Sequence, residues 1–178
     1  MSSKPFVYLT CPYTVKNPPK IGALEPAEVA HRMRHIRFIG ATFATSALIK
    51  LKKWNVFSPI THSHPLHTFA ALRGDWEFWK RIDTEYIEHS HTLVNLTIPG
   101  WEDSTGVKEE NEIAKRLNTN ILFMTMPEHL VGGHVRFYLT ASPELRDQCF
   151  EIYDPELSRA IENVRHTNTG AAYAAFGY

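Results

Sequence analysis

The fold class follows from residues 92–125, which read TLVNLTIPGWEDSTGVKEENEIAKRLNTNILFMT. An apolar run at 92–98 ends at a Pro-Gly pair, and a second apolar run occupies 120–125. Between them, apolar side chains recur at the spacing of an amphipathic helix over residues 103–117. A strand, a helix and a second strand in this order indicate a parallel β–α–β unit.

The same alternation extends toward the N-terminus. We expect further strands at 6–10 and 54–57, and further helices at 26–53 and 75–88. Strands that alternate with helices imply a parallel sheet with helices on both faces, so the predicted fold class is α/β, doubly wound. A loop with three histidines is expected after the second strand.

Beyond residue 126 the pattern weakens. The elements expected there are a strand and two short helices, at 135–139, 143–150 and 155–166. The tail at 169–178 combines small and aromatic residues without a clear period.

Composition and charge narrow the classes of function. The 178 residues include 19 Lys and Arg against 19 Asp and Glu, and 43% of the chain is apolar. This is the composition of one globular domain, and the charge balance argues against a nucleic-acid polymer as partner. No apolar run reaches the roughly 18 residues of a membrane span, and no signal-peptide pattern occurs. With two cysteines, the chain is expected in the cytoplasm.

Two predicted helices each carry a carboxylate inside an apolar stripe. Glu110 falls on the apolar side of the helix at 103–117, and Asp83 does the same on the helix at 75–88. A carboxylate in such a place is costly unless it is paired or functional. A hydrogen bond or a salt bridge at the edge of the stripe would account for either of them. Two in successive helices favour a shared site.

Ligands of open parallel sheets bind outside the carboxyl ends of the strands. Three loops of this chain are predicted to lie there, at residues 11–13, 58–62 and 100–106. The candidate binding residues in and beside them are Cys11, Pro12, Tyr13, Ser58, Pro59, His62, Trp101, Ser104 and Gly106. The third loop can also cap the helix that carries Glu110, and the free N–H groups of that helix could receive an anion. Capping by itself needs no ligand.

Paired buried carboxylates suggest glycosidic chemistry, because one can attack the anomeric carbon while the other handles the proton of the leaving group. Aromatic side chains beside them would stack a base or a sugar, or would simply pack in the core. Tyr8, Tyr13 and Trp101 are the candidates for this part.

These residues together resemble a known family. Tyr8 on the first strand, Asp83 on a helix, and the spacing Ser104-x-Gly106-x-x-x-Glu110 are similar to the nucleoside 2-deoxyribosyltransferase superfamily. Its members include nucleoside deoxyribosyltransferases and 2'-deoxynucleoside 5'-phosphate N-hydrolases. The resemblance covers residues 5–126, which would be the core of a single domain at 1–178. It assigns no role to the C-terminal extension at 127–178.

The resemblance implies a flavodoxin-like fold and a role for each central residue. Glu110 would be the nucleophile that attacks C1' of the deoxyribose, Asp83 would bind the base and manage its proton, and Tyr8 would orient Glu110. It also implies a homo-oligomer in which a neighbouring subunit completes the site, a nucleoside or nucleotide as the small-molecule substrate, and no cofactor.

Position 104 separates the branches of that superfamily. Transferases commonly have an acidic residue there, whereas the 5'-phosphate hydrolases have a serine that contacts phosphate. Ser104 therefore favours a nucleotide substrate, although a shift of one residue would place Asp103 there and reverse the choice. Two departures are Glu112, where glycine is usual, and a first loop without glycines.

Other functions are open from the sequence. His62, His64 and His67, or His89 and His91, could contribute to a zinc site, which would make the chain a metal-dependent hydrolase. The same fold could instead bind a nucleotide as a sensor without cleaving it. Arg32, Arg34 and Arg37, on the long helix, could reach a phosphate, although a solvated helix face accounts better for the first two. Neither the dinucleotide fingerprint nor the P-loop pattern occurs.

Overall fold

The computed structural model of the protein describes residues 4–15, 17–18, 22–125 and 132–166. The strands in these ranges are β1 (Phe6–Thr10), β2 (Asn55–Phe57), β3 (Thr92–Leu96), β4 (Asn120–Met124), β5 (His134–Thr140) and β6 (Cys149–Tyr153). The helices are α1 (Pro26–Lys50), α2 (Pro59–Ala70), α3 (Trp76–Glu88), α4 (Thr105–Arg116) and α5 (Pro155–His166). No described helix combines the length and the apolarity that crossing a membrane requires.

The described strands form one sheet in the order β2-β1-β3-β4-β5-β6. The first four are parallel, with β1 paired to both β2 and β3, and β3 paired to β4. The order 2-1-3-4 is that of a doubly wound, flavodoxin-like sheet, and its winding reverses between β1 and β3. The predicted α/β fold class is therefore confirmed. β5 and β6 extend the sheet as antiparallel strands, a direction that the sequence pattern did not indicate.

Helices cover both faces of the sheet, as predicted. α1 and α5 pack against one face and share its larger apolar core. On the other face, α3 and α4 place Ile87 and Ile113 against Tyr8 and Leu93. Because side chains alternate along a strand, Tyr8 and Thr10 lie on this second face together. It is the face on which both stripe carboxylates are found.

Two local expectations are wrong. The histidine-rich segment is the helix α2 and not a loop, since Pro59 opens the helix, Pro65 is accommodated inside it, and Ile60 packs in the core. A proline within a helix usually signals a break, and this made the segment look irregular. Residues 143–150 form no helix, because a turn at Pro143 leads into β6.

The other elements beyond β4 agree with the sequence pattern. β5 contains the strand expected at 135–139, and α5 coincides with the helix expected at 155–166. The tail at 169–178 lies outside the described residues. The long helix α1 ends at Lys50, three residues early, since Lys52 takes a left-handed backbone conformation with φ of 57°.

Small side chains let α1 lie close to the sheet. Gly40, Ala41, Ala44 and Ala47 all lie on its buried side. Longer side chains there would force the helix away from the strands or into strained rotamers, because interiors are packed to the density of organic crystals.

Ala44→Leu is expected to destabilise the fold by about 1–3 kcal/mol through overpacking. The matched control is Ala27→Leu, at an exposed position of the same helix, which should change the free energy of unfolding by less than about 0.5 kcal/mol. Urea denaturation followed by circular dichroism measures both. Equal effects of the two substitutions would contradict the close packing of α1.

Candidate active site

Glu110 is buried where α4 faces the sheet, and only 5% of its surface is exposed. α4 has one apolar side, on which Val107, Ile113 and Ala114 are also buried. One turn of helix separates Glu110 from Val107 on one side and from Ala114 on the other, so the packing that fixes α4 also fixes the carboxylate. The sequence correctly predicted this position as a charge within an apolar stripe.

Two hydroxyl groups of β1 hold the Glu110 carboxylate. The Tyr8 hydroxyl donates a hydrogen bond to Oε1 at 2.7 Å, and the Thr10 hydroxyl donates one to Oε2. Tyr8 and Thr10 are two residues apart on a strand and therefore share a face. Each carboxylate oxygen thus has its own donor, which fixes the plane of the group.

Tyr8 is suited to remain a donor. Burial, together with the negative charges of Glu110 and Asp83, raises the pKa of the Tyr8 hydroxyl well above its usual value. The hydroxyl therefore keeps its proton over the whole physiological range. The sequence interpretation placed Tyr8 beside Glu110, and the hydrogen bond gives the contact its geometry.

Asp83 brings a second carboxyl group to the same place from α3, and it is also 5% exposed. Burial raises the pKa of Asp83 to about 7, with a hydrogen bond from Tyr8 acting in the opposite direction. Burial also raises the pKa of Glu110 to about 8, and the charge of Asp83 adds to this, while hydrogen bonds from Thr10 and Tyr8 oppose it. Because the two groups interact, they titrate as a pair that keeps one proton near neutral pH.

A pair of asparagines fastens α4 to the sheet next to Glu110. Asn95 on β3 donates to Asn111 at 3.0 Å, and Asn111 donates back at 2.6 Å and to the Val107 carbonyl at 2.7 Å. Asn95 is fully buried. The sequence reading missed this pair; an asparagine in the middle of an apolar strand was the available signal.

Both carboxyl groups border a cavity of about 220 Å³. Most of its lining area is apolar, and Tyr13, Trp76 and Trp79 contribute aromatic rings. The lining residues are Cys11, Tyr13, Thr14, Pro59, Ile60, Ser63, Gly74, Asp75, Trp76, Trp79, Asp83, Ser104, Thr105, Gly106, Val107 and Glu110. They come from the loop after β1, from the first turns of α2, and from the N-terminal parts of α3 and α4 with the residues just before them. The cavity therefore lies at the carboxyl ends of the parallel strands, where the sequence placed the site.

The cavity brings together most of the residues predicted from the sequence. Those that line it are Cys11, Tyr13, Pro59, Asp83, Ser104, Gly106 and Glu110. Tyr8 does not line the cavity but donates a hydrogen bond to Glu110. Trp76 and Trp79, on α3, were not among the predicted binding residues. Thr10 was not singled out, although its position two residues after Tyr8 was the signal for it.

Four predicted binding residues do not line the cavity. His62 is exposed on α2, with its ring near Phe57 and Trp79, and Ser63 takes its place in the lining. The Trp101 ring packs edge-on against Phe123, with 5.6 Å between centroids. The others, Pro12 and Ser58, are buried outside the lining.

The N-termini of α3 and α4 are capped by side chains at the border of the cavity. The Ser104 hydroxyl accepts a hydrogen bond from the Val107 N–H at 3.4 Å, and the Asp75 carboxylate accepts one from the Phe78 N–H at 3.3 Å. Asp75 also forms a bidentate pair with Arg73, at 2.8 Å for each bond. Ser104 is thus the residue of the third predicted loop that caps α4.

The histidines of α2 point in different directions. His62 and His64 are two residues apart in a helix, which separates them by about 200° around its axis. The His64 ring is buried, stacks on Phe38 at 4.2 Å and shares a hydrogen bond of 2.9 Å with the Tyr13 hydroxyl. Burial and the neighbouring cations lower the pKa of His64 to about 4. Within the described residues, no three His, Cys, Asp or Glu side chains converge as metal ligands would.

Comparison with known proteins identifies a family but no function. Among curated proteins, none matches the chain. One family model matches residues 5–126, which is more than half of the sequence, and its description is domain of unknown function, DUF1937. The matched range contains β1 to β4, α1 to α4 and every residue that lines the cavity. The chain therefore belongs to the DUF1937 family.

Proposed function

We propose that this protein cleaves the N-glycosidic bond of 2'-deoxynucleosides or their 5'-monophosphates, with Glu110 as the nucleophile. The observation that carries the proposal is the Glu110 carboxylate at the wall of the cavity, with one hydroxyl donor on each oxygen and Asp83 close by. A carboxylate placed only for stability would be expected to pair with a cation. Among the described residues, neither Glu110 nor Asp83 forms a salt bridge.

The chemistry needs one ionised and one protonated carboxyl group. A Glu110 oxygen attacks C1', the C1'–N bond breaks, and its electron pair leaves with the base. Asp83 donates its proton to the departing base. Water then attacks C1' of the glycosyl-enzyme, releases Glu110, and returns a proton to Asp83. A second base in place of water would make the same protein a transferase.

The pair of raised pKa values supplies the one shared proton that this reaction needs. With one proton held between Asp83 and Glu110 near neutral pH, the pair contains both the acid and the nucleophile. The hydroxyl donors of Tyr8 and Thr10 both act on Glu110 and favour its ionised form. Even so, the pKa of Glu110, about 8, lies above that of Asp83, about 7, so the shared proton resides mainly on Glu110 in the free protein. The proposed reaction therefore requires transfer of this proton to Asp83 when the substrate binds.

The charge of the cavity favours an uncharged substrate. Its described lining contains Asp75, Asp83 and Glu110 but no lysine, arginine or histidine. A phosphate dianion would be repelled by these carboxyl groups, and only the N–H groups at the helix N-termini could attract it. The Ser104 hydroxyl already accepts a hydrogen bond from one of these N–H groups, that of Val107. We therefore infer that the free nucleoside is the better substrate, even though Ser104 resembles the serine of the 5'-phosphate hydrolases.

The remaining expectations belong to the same proposal. The resemblance to nucleoside deoxyribosyltransferases implies a homo-oligomer whose neighbouring subunit completes the site, and the composition fits a cytoplasmic protein. No cofactor enters the proposed steps, since the base is made a leaving group by protonation and the sugar is stabilised by a carboxylate.

Glu110→Gln should lower the release of free base by a factor of about a thousand or more, as expected when a nucleophile is removed. The matched control is Glu109→Gln, at the neighbouring exposed position of α4, which should leave release unchanged. The assay separates products from a panel of nucleosides and 5'-monophosphates, with and without a second base. If the unaltered protein releases no base from any substrate but binds a nucleotide tightly, it is a nucleotide sensor and not an enzyme. Release retained in Glu110→Gln would remove the proposed nucleophile.

The raised pKa of Glu110 also predicts an effect on stability. Between its ordinary value of 4.5 and about 8, the folded protein keeps a proton that the unfolded chain has released. Stability contributed by this group is therefore complete below about pH 4.5 and is lost as the pH rises toward 8. Glu110→Gln should then be more stable than the unaltered protein at pH 8, by about 1–3 kcal/mol.

Urea denaturation at several pH values measures this difference. It should shrink toward zero as the pH falls to about 4.5, whereas Glu109→Gln should show no such trend. A Glu110→Gln protein that is less stable at pH 8 would mean that the carboxylate serves the fold and not a reaction.

A further inference from the structure

Arg37 is a buried cation that binds backbone carbonyls. It lies on α1 with 5% of its surface exposed. Its Nη1 donates to the carbonyls of Tyr13 at 3.3 Å and Thr14 at 3.0 Å, and its Nη2 donates to the carbonyl of Pro99 at 3.1 Å. The sequence allowed Arg37 to bind a phosphate, but in the structure its guanidinium is hydrogen-bonded to these three carbonyls.

The three carbonyls belong to two different loops. Tyr13 and Thr14 lie in the loop from β1 to α1, and Pro99 lies in the loop from β3 to α4. β1 and β3 are neighbours in the sheet, and the winding reverses between them. Arg37 therefore spans the two loops that leave the sheet at its switch point, where doubly wound proteins bind their ligands.

Both loops border the cavity. The side chains of Tyr13 and Thr14 line it directly, and the β3–α4 loop leads into Ser104, which also lines it. A change in the separation of these loops would change the distance between the Tyr13 ring and the N-terminus of α4. The contacts of Arg37 consequently influence the shape of the cavity, although Arg37 is not among its lining residues.

The β3–α4 loop is fitted to the guanidinium. Gly100, next to Pro99, has a φ of +84°, and a Cβ built on it would lie 2.6 Å from Nη2 of Arg37. Since three hydrogen bonds hold the guanidinium, it could not yield without releasing a carbonyl. Glycine at position 100 thus keeps Arg37 and Pro99 in contact.

Arg37 is held without a carboxylate. Among the described residues, no acidic side chain forms a salt bridge with it, and its buried Nε has no hydrogen-bond partner. A buried cation without a counter-ion costs folding free energy. Its presence here therefore indicates a role besides stability. Lysine could not replace it, because a single ammonium group lacks the planar fork that reaches three carbonyls on two loops.

We propose that Arg37 is a positioning residue that fixes the separation of the β1–α1 and β3–α4 loops and so sets the affinity of the cavity for its substrate. The consequence for the substrate rests on the proposed glycosidase function, whereas the fastening of the loops does not. Because Arg37 does not border the cavity, its loss should affect substrate binding more than the chemical step.

Arg37→Lys tests this inference, with Arg32→Lys as the matched control on the exposed side of α1. Amide hydrogen exchange without ligand should become about tenfold faster at residues 11–15 and 97–104 in Arg37→Lys, as expected for the loss of charge-assisted hydrogen bonds. KM for the best nucleoside should rise about tenfold, with kcat changed less than about twofold. Arg32→Lys should change neither quantity.

Gly100→Ala provides a second variant that leaves Arg37 in place. It should accelerate exchange at residues 97–104, and this effect should be smaller in an Arg37→Lys background, because both substitutions break the same contact. Additive effects would mean that backbone strain at Gly100 acts by itself, and would count against the inference.

Unchanged exchange in both loops of Arg37→Lys, or a loss of kcat with KM unchanged, would overturn the inference. A protein that releases no base from any nucleoside would overturn the glycosidase proposal by itself. In that case the hydrogen exchange of the two loops still decides whether Arg37 fastens them.

Discussion

The hydrogen bonds from Tyr8 and Thr10 to Glu110 are the contact on which the site depends. They join α4 to the strand β1 and give both oxygens of a buried carboxylate a donor. A buried charge without such partners would be penalised by several kcal/mol. Two neutral donors reduce that penalty but do not remove it, so the pKa of Glu110 stays raised. The two neutral donors also leave Glu110 reactive, because they compensate only part of its negative charge.

Asp83 places a second buried carboxyl group beside Glu110, so that one group of the pair is protonated while the other is ionised. Two buried carboxyl groups that border the same cavity cannot both ionise readily, so one proton remains between them near neutral pH. The fold supplies this pairing by packing α3 and α4 side by side on one face of the sheet, with their N-termini at the cavity. The proposed cleavage needs this proton on Asp83, which acts as the acid, and an ionised Glu110, which acts as the nucleophile.

Local periodicity was enough to predict the parallel core and its two acids. The strands and helix of residues 92–125 and the stripe positions of Glu110 and Asp83 depend on neighbours within one element. Local periodicity could not predict contacts between different elements. Thr10 meets Glu110, and Asn95 meets Asn111, only through the register of β1, β3 and α4. The helical state of α2 likewise depends on packing that outweighs Pro65.

The central claim is that Glu110 forms a covalent bond to the sugar, and mass spectrometry tests it most directly. Samples quenched with acid during turnover of a 2'-deoxynucleoside would be digested and their peptides mapped. The account predicts one added deoxyribosyl group on the peptide that contains Glu110, at Glu110 itself, and none in Glu110→Gln. An adduct on a different residue, or base release with no adduct at any time during turnover, would contradict it.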